Sequence, residues 1–452
     1  MPSDALEVDF LVLGGGMAGM TAASFAASNG CQVLVVEKNE DIGGSAVLSG
    51  GKIWTGKTFE LLDQETPGGD PALKRVAFDL HPRAVNWINE SGVHVDPASD
   101  HLHYGRGYNF DIHGYIAWCA AAVTDAGGFL VRSANCDKLI VENGRVAGAL
   151  IRDRDGETQV RAPYTLLATG GFAGSPALLE CFISAQGAKA LARSCPTNTG
   201  DGIRLGVGAG GTISPSMKGF YGHVMQYPVN SWGPREFRAY NQGGGSVLGL
   251  IINMRGKRIC DESQEDHRNA QSILQEPEAR ALLFFDQIVR DRIGRTVLAN
   301  MDAPTDGVQN AINAGAHAAS ADTLEELFEK TSVWGYDAAS ALETVRTYNA
   351  AAESGADGAV AVSPPKRRNF RSYSKGPYYA IEGQAGVTAT HGGLRIDPQG
   401  RILNGYGEPV PGLLAAGADA GNIYGEGYAG GLNFAATFGL LAADQAIASK
   451  AA

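Results

Sequence analysis

Three glycines, Gly14, Gly16 and Gly19, stand in the spacing G-x-G-x-x-G within V-D-F-L-V-L-G-G-G-M-A-G-M-T-A-A, Val8 to Ala23. The chemistry that this spacing serves is the seating of a pyrophosphate. The first glycine permits a tight turn, the second lets the backbone approach the phosphates, and the third lets helix and strand pack closely. Unpaired N–H groups where the helix opens, at Met17 and Ala18, favour the negative charge. Glu37 follows about twenty residues beyond the glycines, where an acid can hold the ribose hydroxyls of an adenosine.

For these groups to meet, Asp9 to Leu13 must form a buried strand, the glycines must open a helix, and Gln32 to Val36 must return as a second strand ending at Glu37 and Lys38. Strand, glycines, helix, strand and acid occur in that order, which is the start of an α/β nucleotide fold. Gly43, Gly44 and Ser45 come directly after the acid, and Ser49, Gly50 and Gly51 make another loop of small residues. Main-chain groups in such loops can reach the middle of a long cofactor, which suits FAD better than NAD.

The run G-G-S-A-V-L-S-G-G-K-I-W (Gly43 to Trp54) resembles the equivalent loop of the 3-ketosteroid Δ1-dehydrogenases. Their wider superfamily holds soluble fumarate reductases and tricarballylate dehydrogenases. T-L-L-A-T-G-G-F (Thr165 to Phe172), N-T-G-D-G-I (Asn198 to Ile203) and the run from Ala415 to Gly439 extend the match over nearly the whole chain. The resemblance implies a Rossmann-like FAD-binding domain, interrupted by an inserted α+β capping domain that closes over the flavin. It adds Cys136, Thr169, Gly170, Gly171, Asp201, Gly417, Asp419, Gly431, Asn433 and Phe434 to the expected FAD contacts. Ser45-Ala46-Val47 offers no histidine for a flavin link, so the FAD is expected to be non-covalent.

A chain of 452 residues, 44% apolar, can bury a large core and has the length of two or three domains. Its formal charge of −11 argues against nucleic acid or an anionic membrane as a partner. No apolar run is long enough to span a bilayer, and the acidic start lacks a signal-peptide pattern. The six cysteines are scattered without C-x-x-C, so they make no metal or haem site and read as reduced thiols of a cytoplasmic protein. The expected division is an FAD-binding domain over 1–220, a capping domain over 221–376 and the rest of the FAD domain over 377–452. Within the cap, Asp322 and Glu325 have the spacing of a capping box, and a second helix is expected from Ala338 to Ala352.

Candidate catalytic groups fall near these joins. His223, in K-G-F-Y-G-H-V-M-Q-Y, resembles a substrate-binding histidine of the fumarate reductases, and Arg290 their proton-donating arginine. A structural histidine and a surface arginine paired with Asp286 are the plain alternatives. Glu262 and Arg268 could relay protons or hold the cap, and the second reading is preferred. Tyr428, in Y-A-G-G, resembles the tyrosine with which ketosteroid dehydrogenases bind a carbonyl, where fumarate reductases carry an arginine. Leu432 stands where those enzymes place a glycine. His391, before Gly392 and Gly393, is expected to face the flavin ring. Lys366, Arg367, Arg368, Arg371 and Lys375 read as a solvated surface run.

Together these imply an oxidoreductase that makes or removes a C=C bond next to a carbonyl, with a ketone or carboxylate as small-molecule substrate and a separate electron acceptor or donor. Tyr221, Tyr227 and Tyr240 are equal candidates for the base. The competing readings are a dicarboxylate or tricarboxylate enzyme, a flavoprotein subunit of a larger complex, and a non-catalytic FAD-binding protein.

Overall fold

Phe10–Leu13 is four apolar residues in a row, all buried, and forms strand β1. Burial on both faces is what a central strand of a parallel sheet requires. Helix α1 (Met17–Ser28) and β2 (Val33–Val36) follow, then β3 (Phe129–Val131), β4 (Tyr164–Leu167) and helix α2 (Asp201–Gly208). The chain continues through β5 (Phe220–Gln226), β6 (Leu250–Ile252), helix α3 (Asp266–Leu274), β7 (Arg280–Asp286), α4 (Gln287–Ile293), α5 (Gly307–Asn313) and β8 (Ala318–Ala321). Helices α6 (Leu324–Ser332) and α7 (Ala338–Glu353) precede the long strand β9 (Tyr378–Thr390). Last come β10 (Arg401–Leu403), β11 (Pro409–Ala415) and helix α8 (Gly431–Ala451). This computed structural model describes residues 5–229, 242–293 and 306–451.

The chain divides into two units. The first comprises Met1–Ser175, Ser194–Phe220 and Ala389–Ala452; the second comprises Pro176–Arg193 and Tyr221–Thr388. The return to the first unit thus falls at Ala389 rather than at residue 377, because Tyr378 to Gln384 pair in register with β7.

In the first unit six strands lie in the order β10-β11-β4-β1-β2-β3. All neighbours are parallel except β10 against β11. This is the α/β fold that the glycine spacing implies, and the carboxyl ends of such strands are where ligands sit. A separate antiparallel sheet, Asn135–Glu142, Arg145–Asp153 and Gly156–Arg161, is extended by Leu6–Glu7.

The second unit is built on β9, which pairs with β5, β7 and β8, with β6 beyond β7. Leu282 to Phe285 in β7 have no exposure, and each such side chain contributes about 1.5–3 kcal/mol of burial. Helix α6 is capped one residue later than the expected box: Thr323, in extended conformation, accepts the Glu326 N–H. Helix α7 starts at the expected residue, with Asp337 accepting from Ser340 N–H at 2.9 Å.

Candidate active site

The cradle is assembled from the turn after β1. Gly14 has φ +111°, and a Cβ there would overlap the Ala168 carbonyl oxygen. A Cβ on Gly19 would overlap the Gly14 oxygen, so the third glycine is what lets α1 lie on the strand. Gly16 differs from both. Nothing approaches a Cβ there closer than Gly43 O at 3.9 Å, and a Cβ on Gly44 would meet only the Gly16 Cα, at 3.7 Å. These two glycines face open space beside the start of α1, where Met17 and Ala18 N–H have no partner within the helix. Open space, bare backbone and a helix N-terminus fit the pyrophosphate of FAD.

Glu37 is buried, and its Oε2 accepts the Gly15 N–H at 2.8 Å. Its Oε1 accepts from both Asn39 N and Asn39 Nδ2, each at 2.8 Å. The carboxylate therefore holds the glycine turn and has lone pairs left for ribose hydroxyls. Glu37→Ala is expected to lose about 1–3 kcal/mol of FAD affinity, measured by titrating apoprotein with FAD. Unchanged affinity would mean that another residue holds the ribose.

The remaining expected cofactor residues divide into two groups. At the carboxyl ends of β1, β4 and β11, Asp419 accepts from Thr169 N at 2.5 Å and Gly171 N at 3.1 Å, while Thr169 Oγ1 accepts from Gly202 N at 2.9 Å. Burial pushes the Asp419 carboxyl up, and these hydrogen bonds oppose that. Ser45 Oγ accepts from Cys195 N and Asn198 Nδ2, and the Asn198 side chain lies against Gly170. Lys38 pairs with Asp201 at 2.6 Å, and Gly417 turns the chain next to Ala18.

The second group is held by further contacts within the protein. Ser49 accepts the Gly51 N–H, and Gly51, beyond Gly50, is bonded to Phe110. The Asn433 amide is committed to His81 and to Ala77 O, and the Phe434 ring packs 5.9 Å from Tyr424. The Cys136 carbonyl accepts from Arg204, and burial pushes its thiol up to about 12. Asn198 was not among the residues singled out, although the N-T-G-D-G-I motif contains it.

Also in the first unit, the Tyr428 hydroxyl accepts the Gly431 N–H at the opening of α8. Its backbone carbonyl accepts from Tyr104 OH at 2.6 Å, and its ring lies 5.9 Å from Trp54. His391 Nδ1–H donates to Gly425 O at 2.7 Å, and burial lowers its pKa to about 4. The ring is therefore neutral, and among the described residues no partner reaches its Nε2. A buried, unmatched acceptor of this kind fits an N–H donor on a bound ring.

In the second unit, His223 Nδ1 lies 2.7 Å from Asp266 Oδ2 and its Nε2 2.9 Å from the Tyr221 hydroxyl. Burial and the Arg193 cation lower the His223 pKa, against the pull of Asp266. Tyr221 stands two residues before His223 on β5 and so shares its face, whereas only the fold brings Asp266, 43 residues away, to His223. Arg290 pairs with Asp306 at 2.7 Å and not with Asp286, whose buried carboxylate is taken by Arg371. Tyr240 lies outside the described residues.

The basic run is exposed at Arg367, Arg368 and Lys375, as a solvated run would be, but not at Lys366. Lys366 is fully buried and donates to Gly249 O at 2.8 Å and to Glu262 at 3.3 Å. Glu262 is gripped by both arms of Arg258 and also accepts the Ile251 N–H. Arg268 donates to Gln264. Among the described residues no group of three or more His, Cys, Asp or Glu could hold a metal ion, and no helix is long and apolar enough to cross a membrane.

The family described as FAD binding domain matches residues 9–71 and 73–434. A fumarate reductase (cytochrome) of Shewanella frigidimarina is 28% identical over 469 aligned positions, covering 97% of this chain and 77% of that protein. A 3-oxosteroid 1-dehydrogenase of Mycolicibacterium smegmatis is 26% identical over 579 positions, covering 99% and 98%. The solved 3-ketosteroid Δ1-dehydrogenase of Sterolibacterium denitrificans shares the fold, with a TM-score of 0.78 at 21% identity over 98% of this chain and all of that one.

Proposed function

We propose, from the premise that the chain belongs to the FAD binding domain family, that it is an FAD-dependent oxidoreductase that introduces or removes a C=C bond next to a carbonyl, with a ketone of the ketosteroid kind as substrate. FAD, when bound, exchanges a hydride with the carbon β to the carbonyl. The chain supplies position and electrostatics. Gly16, Met17 and Ala18 hold the pyrophosphate without a covalent link, Glu37 holds the ribose, and His391 offers an acceptor to the ring.

The observation that carries the ketone reading is the place of Tyr428. Its hydroxyl is fixed at the first turn of α8 by the Gly431 N–H, where the helix dipole favours negative charge. Leu432 N–H, in the same turn, has no partner within the helix. A phenol and a backbone N–H at a helix start are suited to a carbonyl oxygen that gains charge as the α proton leaves. A carboxylate would instead call for a cation, and an alternative substrate class, a di- or tricarboxylate, is favoured by the buried guanidinium of Arg193 beside His223.

An anaerobic panel of cyclic ketones, 3-ketosteroids, succinate and tricarballylate, followed by flavin absorbance, separates these readings. Bleaching by a saturated ketone is expected. Bleaching by carboxylates alone would overturn the ketone reading, and bleaching by none would make the protein a non-catalytic flavin binder. The electrons pass to a separate carrier. The cysteines of the described residues are unbridged, which supports a reducing, cytoplasmic setting.

A further inference from the structure

We propose that His391 holds the pyrimidine edge of the flavin, its Nε2 accepting the imide N–H that lies between the two ring carbonyls. This rests on the binding of FAD and deepens the acceptor role given to His391 above. It holds for either class of substrate.

The place of His391 follows from its neighbours, all of them in the first unit. Thr390, the residue before it, ends β9, and its Oγ1 lies 2.7 Å from where a Cβ on Gly171 would stand. Two residues after it, a Cβ on Gly393 would stand 2.6 Å from the Asp419 carbonyl oxygen, which accepts the Leu394 N–H at 2.7 Å. Gly171 and Asp419 come soon after the ends of β4 and β11. His391 is therefore at the carboxyl ends of the parallel strands, the edge at which such a sheet takes its ligand. Its backbone is pinned there: its N–H donates to Gly219 O at 3.2 Å, and its carbonyl accepts the Asn422 N–H at 2.7 Å.

One contact fixes the direction of the side chain's hydrogen bonds. Nδ1 lies 2.7 Å from the Gly425 carbonyl oxygen, which can only accept, so the proton is on Nδ1 and Nε2 carries a lone pair. Burial lowers the pKa to about 4, so the imidazole is uncharged at neutral pH. The residue is 6% exposed, and Nε2 meets no donor among the described residues. An acceptor enclosed in this way is costly unless a ligand brings it an N–H.

The loop that contains Gly425 carries the matching donors. Tyr104 OH donates to the Tyr428 carbonyl and Tyr424 OH to the Ala429 carbonyl, each at 2.6 Å. In a trans peptide the N–H points away from the C=O. The N–H groups of Ala429 and Gly430 are thus turned away from those tyrosines, and neither has an acceptor among the described residues, although both residues are buried. One acceptor and spare backbone donors suit an edge of the form O=C–NH–C=O, and the flavin has one such edge. The competing ring N–H, at position 5, exists only after reduction. In the oxidised ring that nitrogen would turn a lone pair towards the lone pair of Nε2. The imide N–H is present in both states, so it alone keeps Nε2 matched throughout.

The test is calorimetric titration of the apoprotein with three flavins. They are FAD, 3-methyl-FAD, in which a methyl replaces the imide hydrogen, and 5-deaza-FAD, in which carbon replaces the nitrogen at position 5. The wild type is expected to bind 3-methyl-FAD about 10–100-fold more weakly than FAD, because Nε2 is left without its donor. It should bind 5-deaza-FAD much as it binds FAD. His391→Phe keeps a flat ring in the space and should bind FAD and 3-methyl-FAD with nearly equal affinity. The wild-type comparison needs no variant, so it stands even where His391→Phe fails to fold. Equal affinity of the wild type for FAD and 3-methyl-FAD would overturn the assignment, as would rejection of 5-deaza-FAD with acceptance of 3-methyl-FAD. So would a preference for FAD that survives undiminished in His391→Phe. In each of these cases FAD binding itself still holds. An apoprotein that binds none of the three would overturn the cofactor reading as well.

Discussion

Tyr428→Phe is expected to keep FAD bound and to lower turnover of a saturated ketone roughly a hundredfold. The ring would still pack against Trp54 and Tyr424, and the backbone carbonyl would still accept from Tyr104. The loss is confined to the hydroxyl at the start of α8. Stability should fall by about 1 kcal/mol, because Gly431 N–H loses its acceptor. The measurement is the anaerobic rate of flavin reduction in wild type and variant. If ketones never reduce the flavin while succinate or tricarballylate does, the tyrosine argument fails.

Glu262→Ala is expected to destabilise the protein by about 3–5 kcal/mol, because it strands buried cations that the carboxylate now balances. Arg258 and Lys366 both end on Glu262, and neither Glu262 nor Lys366 has any exposure. Burial already lowers the Lys366 pKa, so without Glu262 that amine would shed its proton more readily. Adding Lys366→Met removes one of the two cations, so the double variant should recover part of the loss. Urea unfolding of the two single variants and the double closes the cycle. Additive effects would show that Lys366 and Glu262 are not coupled.

What could be read from the sequence was local. The strand, the glycines, the helix and Glu37 lie within one short stretch, and their spacing carries the turn geometry directly. Lys366 was misread because a run of basic residues reports charge and says nothing of burial. Arg290 was matched with Asp286 by its distance of one helical turn, yet Asp286 faces Arg371 and the true partner, Asp306, caps a different helix. Asp266 lies 43 residues from His223, and nothing in either segment announces that the fold will join them.

The order of strands in the first unit has a consequence for how the protein is made. β4 lies between β1 and β11, and the Asp419 carboxylate that ties its end is delivered 250 residues after Thr169. As the chain leaves the ribosome, β4 presents a bare edge while the whole of the second unit is synthesised. That unit has its own core and can settle first, and the nucleotide fold closes only when β11 emerges. Such distant pairing is slow, and an uncovered strand edge invites other chains. Flavin loading is therefore a late event in biogenesis, and slower synthesis at low temperature should raise the yield of yellow, monodisperse protein.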